Sequence, residues 1–412
     1  MNTRILKASA KLARPALILG TLAVFGPLPP AAALAACDPA THAVQYLAAH
    51  QSDDGSVDAS VGETSDFVLS AAADGVDPNT LTGAAGKTPY DYLAADLAAP
   101  TPKAFKDANQ LGKVVQAVVA GRHEATAFGG RDLLAKLTST SGSPAFYDAG
   151  TGAFYDQFGG DNQAFANAQA ILALAAAGDA GHPVPPAAVT ELKSLQGTTG
   201  TGTGGWSAFG FYDTNTTAMA LMALAAAGDT PANDTGTYAA AYAFLHTQQD
   251  PATGGFPLTT DFGPDSDPDS DALVIQALTA AGENAGGAAW SNTAGNATTD
   301  ILAFQDPASG GFAFSRGGKL QTFATTQVAG GLRRAPFPVP ATYTSGAALP
   351  ADGCPVAAAA EAPAGPGLPA AGAGPAQPPL SPPAGALVVA LAAASGVAAL
   401  ALRPPGPRRR AH

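Results

Sequence analysis

Ala218-Met219-Ala220-Leu221-Met222-Ala223-Leu224-Ala225-Ala226-Ala227-Gly228 is apolar on every side at helical spacing and stops on a glycine. A helix with no polar face must be surrounded by other protein. Five more segments run the same way from an apolar stretch to a glycine: Phe67–Gly75, Val114–Gly121, Ala168–Gly178, Ala272–Gly282 and Ala324–Gly331. Successive closing glycines of the six are 46, 57, 50, 54 and 49 residues apart. A period near 50 marks an array of repeated supersecondary units. Glycine at each stop is the residue expected at a left-handed helix cap.

Each unit carries a second helix upstream. Before Ala218 it is Pro186 to Gln196, where Val189, Leu192 and Leu195 fall three apart while Glu191, Lys193 and Ser194 point elsewhere. That is a helix with one buried face and a proline near its start. The units therefore read as helical hairpins, each with one outer and one inner helix. The turn between them carries the most specific pattern. Gln196 is followed by Gly204-Gly205-Trp206, Gln248 and Gln249 by Gly254-Gly255-Phe256, and Gln305 by Gly310-Gly311-Phe312. Weaker copies are Gln51 with Asp54-Gly55-Ser56-Val57, and Gly152-Ala153-Phe154. Paired glycines allow a tight backbone, the aromatic packs back on the hairpin, and a Gln amide suits the exposed ends of neighbouring helices.

These turns resemble those of the terpenoid-cyclase and protein-prenyltransferase superfamily, over roughly Pro39 to Leu332. The resemblance implies an all-α fold: a closed α/α toroid of six helical hairpins, twelve helices in all, with the two chain ends close together. It also implies which residues to look for. Zinc prenyl transfer needs an Asp, Cys and His set. Both cysteines, Cys37 and Cys354, lie outside the repeats, and His42, His50, His123, His182, His246 and His412 show no ligand spacing and read as surface or turn residues. Class II cyclases need a carboxylic acid of raised pKa in a DxDD arrangement. No DxDD occurs; the nearest stretch is Asp265-Ser266-Asp267-Pro268-Asp269-Ser270-Asp271, before the fifth inner helix.

Three readings of that stretch stay open. It is a helix cap favoured by the dipole, a calcium site at Asp265, Asp267 and Asp269, or a ligand or catalytic site. An EF-hand is excluded, since Ser270 and Gln276 replace its glycine and its closing glutamate. Asn162 and Gln163, then Asp213, Asn215 and Thr216, stand before other inner helices. Together with Asp267, Asp269 and Asp271 they would form a polar rim at one mouth, the candidate ligand site. No Cys–Gln pair suggests a thioester, and no β-rich domain follows, as in cobalamin carriers. With no zinc set and no DxDD, no catalytic residue is assigned, and no cofactor is expected beyond that calcium. The sequence reading thus puts first a non-catalytic module binding a small or extended ligand; the alternative is an enzyme acting on a lipid or isoprenoid. A deep aromatic cavity holding a buried, shifted carboxylate would mark the enzyme. A barrel plugged by its own side chains would leave only the rim.

The ends are read separately. Residues 1–35 form a signal peptide, with Arg4, Lys7, Lys11 and Arg14 before the apolar run Pro15–Phe25 and the cleavage pattern Ala33-Leu34-Ala35. The ectodomain is 36–355. Residues 356–383 are an Ala/Pro-rich disordered spacer. Ala384–Leu402, 19 uncharged residues, is a transmembrane helix, and Arg403, Arg408, Arg409 and Arg410 make 403–412 a basic cytoplasmic tail. Leu368-Pro369-Ala370-Ala371-Gly372 resembles a sortase sorting signal, with Ala371 where that family has Thr. The expected protein is a monomer outside the cytoplasm, held to the membrane or wall by its C-terminus. Between the two basic ends stand 12 basic and 32 acidic side chains, a net charge of −20, which argues against nucleic-acid partners. Cys37 and Cys354 are expected to form a disulfide, stabilising by on the order of 5 kcal/mol in the chain-entropy model. The rival is a lipobox, Leu34-Ala35-Ala36-Cys37, with a lipid on the cysteine.

Overall fold

The structure, a computed structural model, describes residues 38–178 and 181–350. The signal peptide, Cys37, Cys354, the sorting-like pentapeptide, the spacer, the apolar span and the basic tail lie outside the described residues. No helix among the described residues is long and apolar enough to cross a membrane.

The described chain is mostly helical and holds twelve α-helices. Six are almost wholly buried: α2 (Val61–Ala73), α4 (Ala108–Ala120), α6 (Gln163–Ala177), α8 (Thr214–Ala226), α10 (Pro268–Ala280) and α12 (Thr322–Leu332). They pack in chain order, α2 on α4, α4 on α6, α6 on α8, α8 on α10 and α10 on α12, and α12 returns to α2. The other six flank this circuit: α3 (Pro89–Ala98) on α2, α5 (Leu133–Leu137) on α4, α7 (Pro186–Ser194) on α6, α9 (Thr235–Gln248) on α8, α11 (Ala297–Asp300) on α10, and α1 (Pro39–Ala49) on α12. The first helix begins at Pro39 and the last ends at Leu332, the limits read from the repeats. The outer set is uneven, since α5 has five residues and α11 four.

Acidic residues start these helices. Asp38, Asp107, Asp132, Asp213, Asp234 and Asp267 each accept a backbone N–H in the first turn of the helix that follows. A carboxylate there satisfies orphan donors and complements the dipole. Part of the negative charge is therefore structural.

The repeat turns behave as units. Gln196 Nε2 donates to the Gly204 carbonyl and to Thr237 O of α9 (2.9 and 3.0 Å). Gln249 does the same to Gly254 and Trp290 (2.8 and 2.9 Å), and Gln305 to Gly310 and Pro39 (3.1 and 2.9 Å). Each Gln thus ties its own turn to the next outer element. For Gln196 and Gln305 the acceptor is a first-turn carbonyl rather than an exposed helix end. The residue after each glycine pair is buried: Trp206, Phe256 and Phe312. Its N–H is received by a side chain one turn into the inner helix, Thr217, Asp271 and Thr325 respectively.

The turns hold two short antiparallel strand pairs: β1 (Trp206–Ala208) with β2 (Phe211–Asp213), and β3 (Phe312–Ala313) with β4 (Leu320–Gln321). Two expectations need correction. Two of the closing glycines are not left-handed caps. Gly121 has φ −82°, and Gly331 lies inside α12. Their role is close approach: a Cβ would meet the Tyr90 hydroxyl at 1.9 Å and Ala272 Cα at 2.5 Å. The left-handed positions fall instead on Arg122 and Arg334. Finally, His42 is no surface residue; it is buried in α1, and burial lowers its pKa.

Candidate functional site

A cavity of about 120 Å³ opens among the N-terminal halves of the inner helices, and all six contribute to its wall. Asn109, Asn215 and Asp269 occupy the second position of α4, α8 and α10, so the repeat places them at one level. All three line the cavity. The Asn109 and Asn215 amide oxygens and both Asp269 carboxyl oxygens are buried without a hydrogen-bond partner. One turn deeper, Lys113 of α4 and Asp66 of α2 form an ion pair at 2.8 Å, both side chains about nine-tenths buried. Phe165, Phe209, Phe314, Phe323 and Phe337 supply aromatic surface.

The electrostatics follow from burial. Desolvation pushes the Asp269 carboxyl well above its ordinary value, the negative charges of Asp267 and Asp66 push the same way, and the Lys113 ammonium pulls back. Burial thus biases the Asp269 carboxyl toward its protonated, neutral form. Burial also raises Asp66, against the pull of Lys113. Asp267 is raised to about 6 by burial, opposed by its cap bonds to Ser270. Glu63, in the first turn of α2, is pushed up to about 8 by burial and by Asp58.

The hairpin β1–β2 reaches the wall at its tip. Phe209 and Gly210 both have positive φ, 53° and 87°. A tight two-residue hairpin turn asks for this, usually with Asn-Gly. A bulky aromatic held in that region is strained, and strain of this kind concentrates at functional sites. Phe209 is pinned by its N–H to Asp161 O at 2.6 Å and stacks edge-on to Phe158.

Among the residues picked out from the sequence, Asn162, Asn215, Thr216, Asp267 and Asp269 line the cavity. The other three do not. Asp213 is the fully buried cap of α8. Gln163 donates to Phe154 O and Asn167 Oδ1, holding a repeat turn. Asp271 does the turn-holding task that Thr217 and Thr325 do elsewhere. The calcium reading is not supported by placement: Asp265 is exposed, Asp267 caps α10 and Asp269 faces the cavity. Among the described residues no three His, Cys, Asp or Glu side chains are grouped to hold a metal. The Asp66–Lys113 pair escaped the sequence reading because its members sit 47 residues apart. The available signal was a charge one turn into each apolar helix; the apolar segments Phe67–Gly75 and Val114–Gly121 start one residue past each.

No family model matches the chain, and no curated protein matches it by sequence. Among solved structures it is similar to the type II terpene cyclase MstE from Scytonema, in the apo form, at 15% identity over 73% of this chain and 99% of that chain, with a TM-score of 0.46. It is also similar to a protein from Actinoplanes, at 19% identity over 72% and 98%, with a TM-score of 0.43.

Proposed function

We propose that the chain is an α/α toroid whose central cavity carries out acid-initiated chemistry on an isoprenoid-class lipid, in place of the non-catalytic binding module put first on sequence. The observation that carries this is Asp269: a buried carboxyl with no internal partner and a raised pKa, facing an aromatic-lined cavity.

The chemistry is direct. The Asp269 O–H bond breaks and a C–H bond forms at one carbon of a substrate alkene; the π electrons supply the new bond and leave a carbocation on the neighbouring carbon. Burial favours the protonated acid before substrate arrives. The Lys113 ammonium favours the carboxylate left behind. The Phe faces stabilise the cation, and Asp66 and Asp267 add negative charge nearby. Internal alkene attack, then loss of a proton from carbon and its return through water to the Asp269 carboxylate, closes the sequence with no oxidant or cofactor. Export and C-terminal anchoring belong to the same proposal, with the substrate drawn from the cell envelope.

Native mass spectrometry of the ectodomain, purified from its own envelope, is the test. A retained polyene that is converted on incubation supports the reading. A lipid carried unchanged returns the protein to the binding class.

A further inference from the structure

Residues 333–350 leave α12 without regular structure and cross the C-terminal end of the circuit. Gln276 Nε2 of α10 donates to Ala335 O at 2.6 Å. On the far side, Tyr343 donates its hydroxyl to Ala120 O, the last residue of α4, at 2.8 Å. Arg122 donates to the Ala341 carbonyl at 3.0 Å and lies 4.3 Å over the Tyr343 ring. In a circuit of six, α10 and α4 stand opposite each other. The segment is therefore a strap across the opening, and Phe337 and Val339, between its anchors, line the same cavity as Asp269.

We infer that Phe337 is the floor of this cavity and determines the length of the ligand it accepts. The inference rests on the cavity being the ligand site. Asp269 and the strap-holding Gln276 are seven residues apart on one helix, so the acid stands about 10 Å above the floor. At a carbon–carbon bond of about 1.5 Å, that depth takes a chain of roughly eight carbons, near two isoprene units. The wall also limits charge. Lys113 is the one basic side chain lining the cavity among the described residues, and Asp66 already neutralises it. The buried part of the ligand thus carries no negative charge.

The test is a binding series with prenol, geraniol and farnesol, neutral alcohols of one, two and three isoprene units, measured by calorimetry on the intact ectodomain. Affinity should rise from the first to the second and gain little at the third. Phe337→Ala should recover the third-unit gain, by roughly tenfold. Phe337→Trp, which keeps the strap filled, should cost geraniol a similar factor and leave prenol unchanged. Unaltered length dependence in both variants overturns the inference, as does a wild-type affinity that climbs steadily with length. Because the readout is binding, it stands or falls apart from turnover: an inert protein with a length limit at Phe337 refutes the chemistry and keeps the floor.

Discussion

Asp269 and its neighbours are a case of burial setting protonation. Asp213 and Asp267 are raised to about 7 and about 6, chiefly by desolvation. In the unfolded chain an Asp titrates near 3.8. Above that value the unfolded chain sheds protons that the fold retains, so the stability is full below about pH 4 and drains away as pH rises through the folded values. Carboxyls held low by hydrogen bonds, such as Asp234 beside Lys193, are already ionised across this window. The urea midpoint should therefore be lower at pH 8 than at pH 5. Asp213→Asn, which keeps a cap and removes a titration, should flatten the slope. A midpoint that rises with pH contradicts the assignment. At this scale the sequence was partly legible. It pointed to the Asp265–Asp271 stretch, but alternating carboxylates do not say which one faces inward. That is decided by helix phase: Asp267 caps, Asp269 at the second position looks into the cavity, and Asp271 turns back to Phe256 N.

At the scale of the element, the paired-glycine turn is a packing device as much as a conformational one. Gly254 and Gly228 both have positive φ, 82° and 85°. A Cβ on Gly254 would lie 2.2 Å from the Gly295 carbonyl oxygen, whereas one on Gly228 meets nothing within 4 Å. Gly228→Ala should thus cost only the left-handed penalty, about 1–2 kcal/mol. Gly254→Ala should cost clearly more, because backbone must move; denaturant unfolding of the two variants makes the comparison. Equal costs would mean that close approach adds nothing. The hairpins and their register were readable from apolar helices of fixed period, since that pattern is local. The β1–β2 and β3–β4 pairs were not, because strands of two or three residues carry no periodic signal. The closing glycines at 121 and 331 were misread for a related reason: sequence shows a glycine, not whether it frees the backbone or makes room for Tyr90 or Ala272.

For the molecule as a whole, the claim is closure. Arg333, just past α12, pairs with Asp38 before α1 and with Asp74 after α2. Gln305 reaches from the last repeat turn to Pro39 of the first helix, and Gln45 of α1 donates to the Pro350 carbonyl at 2.7 Å. The described ends are thus adjacent to one helix. If Gln305 is a strut equal to the others, Gln305→Ala and Gln249→Ala should each cost about 1–3 kcal/mol. A free Gln305→Ala beside a costly Gln249→Ala would mean the first and last repeats are not joined. The number of helices and the limits of the repeats were legible in the sequence. The cavity's rim was legible, but its ion pair and its floor were not, because they come from helices and a strap distant in the chain. The central claim is that Asp269 delivers a proton to a buried alkene. It is tested most directly by incubating the ectodomain with its co-purified polyene in deuterium oxide and weighing the product. The account predicts one solvent deuteron on carbon with the wild-type protein and none with Asp269→Asn, which still binds the polyene. Deuterium uptake that survives Asp269→Asn, or a wild-type protein that binds the polyene and returns it unlabelled, would contradict it.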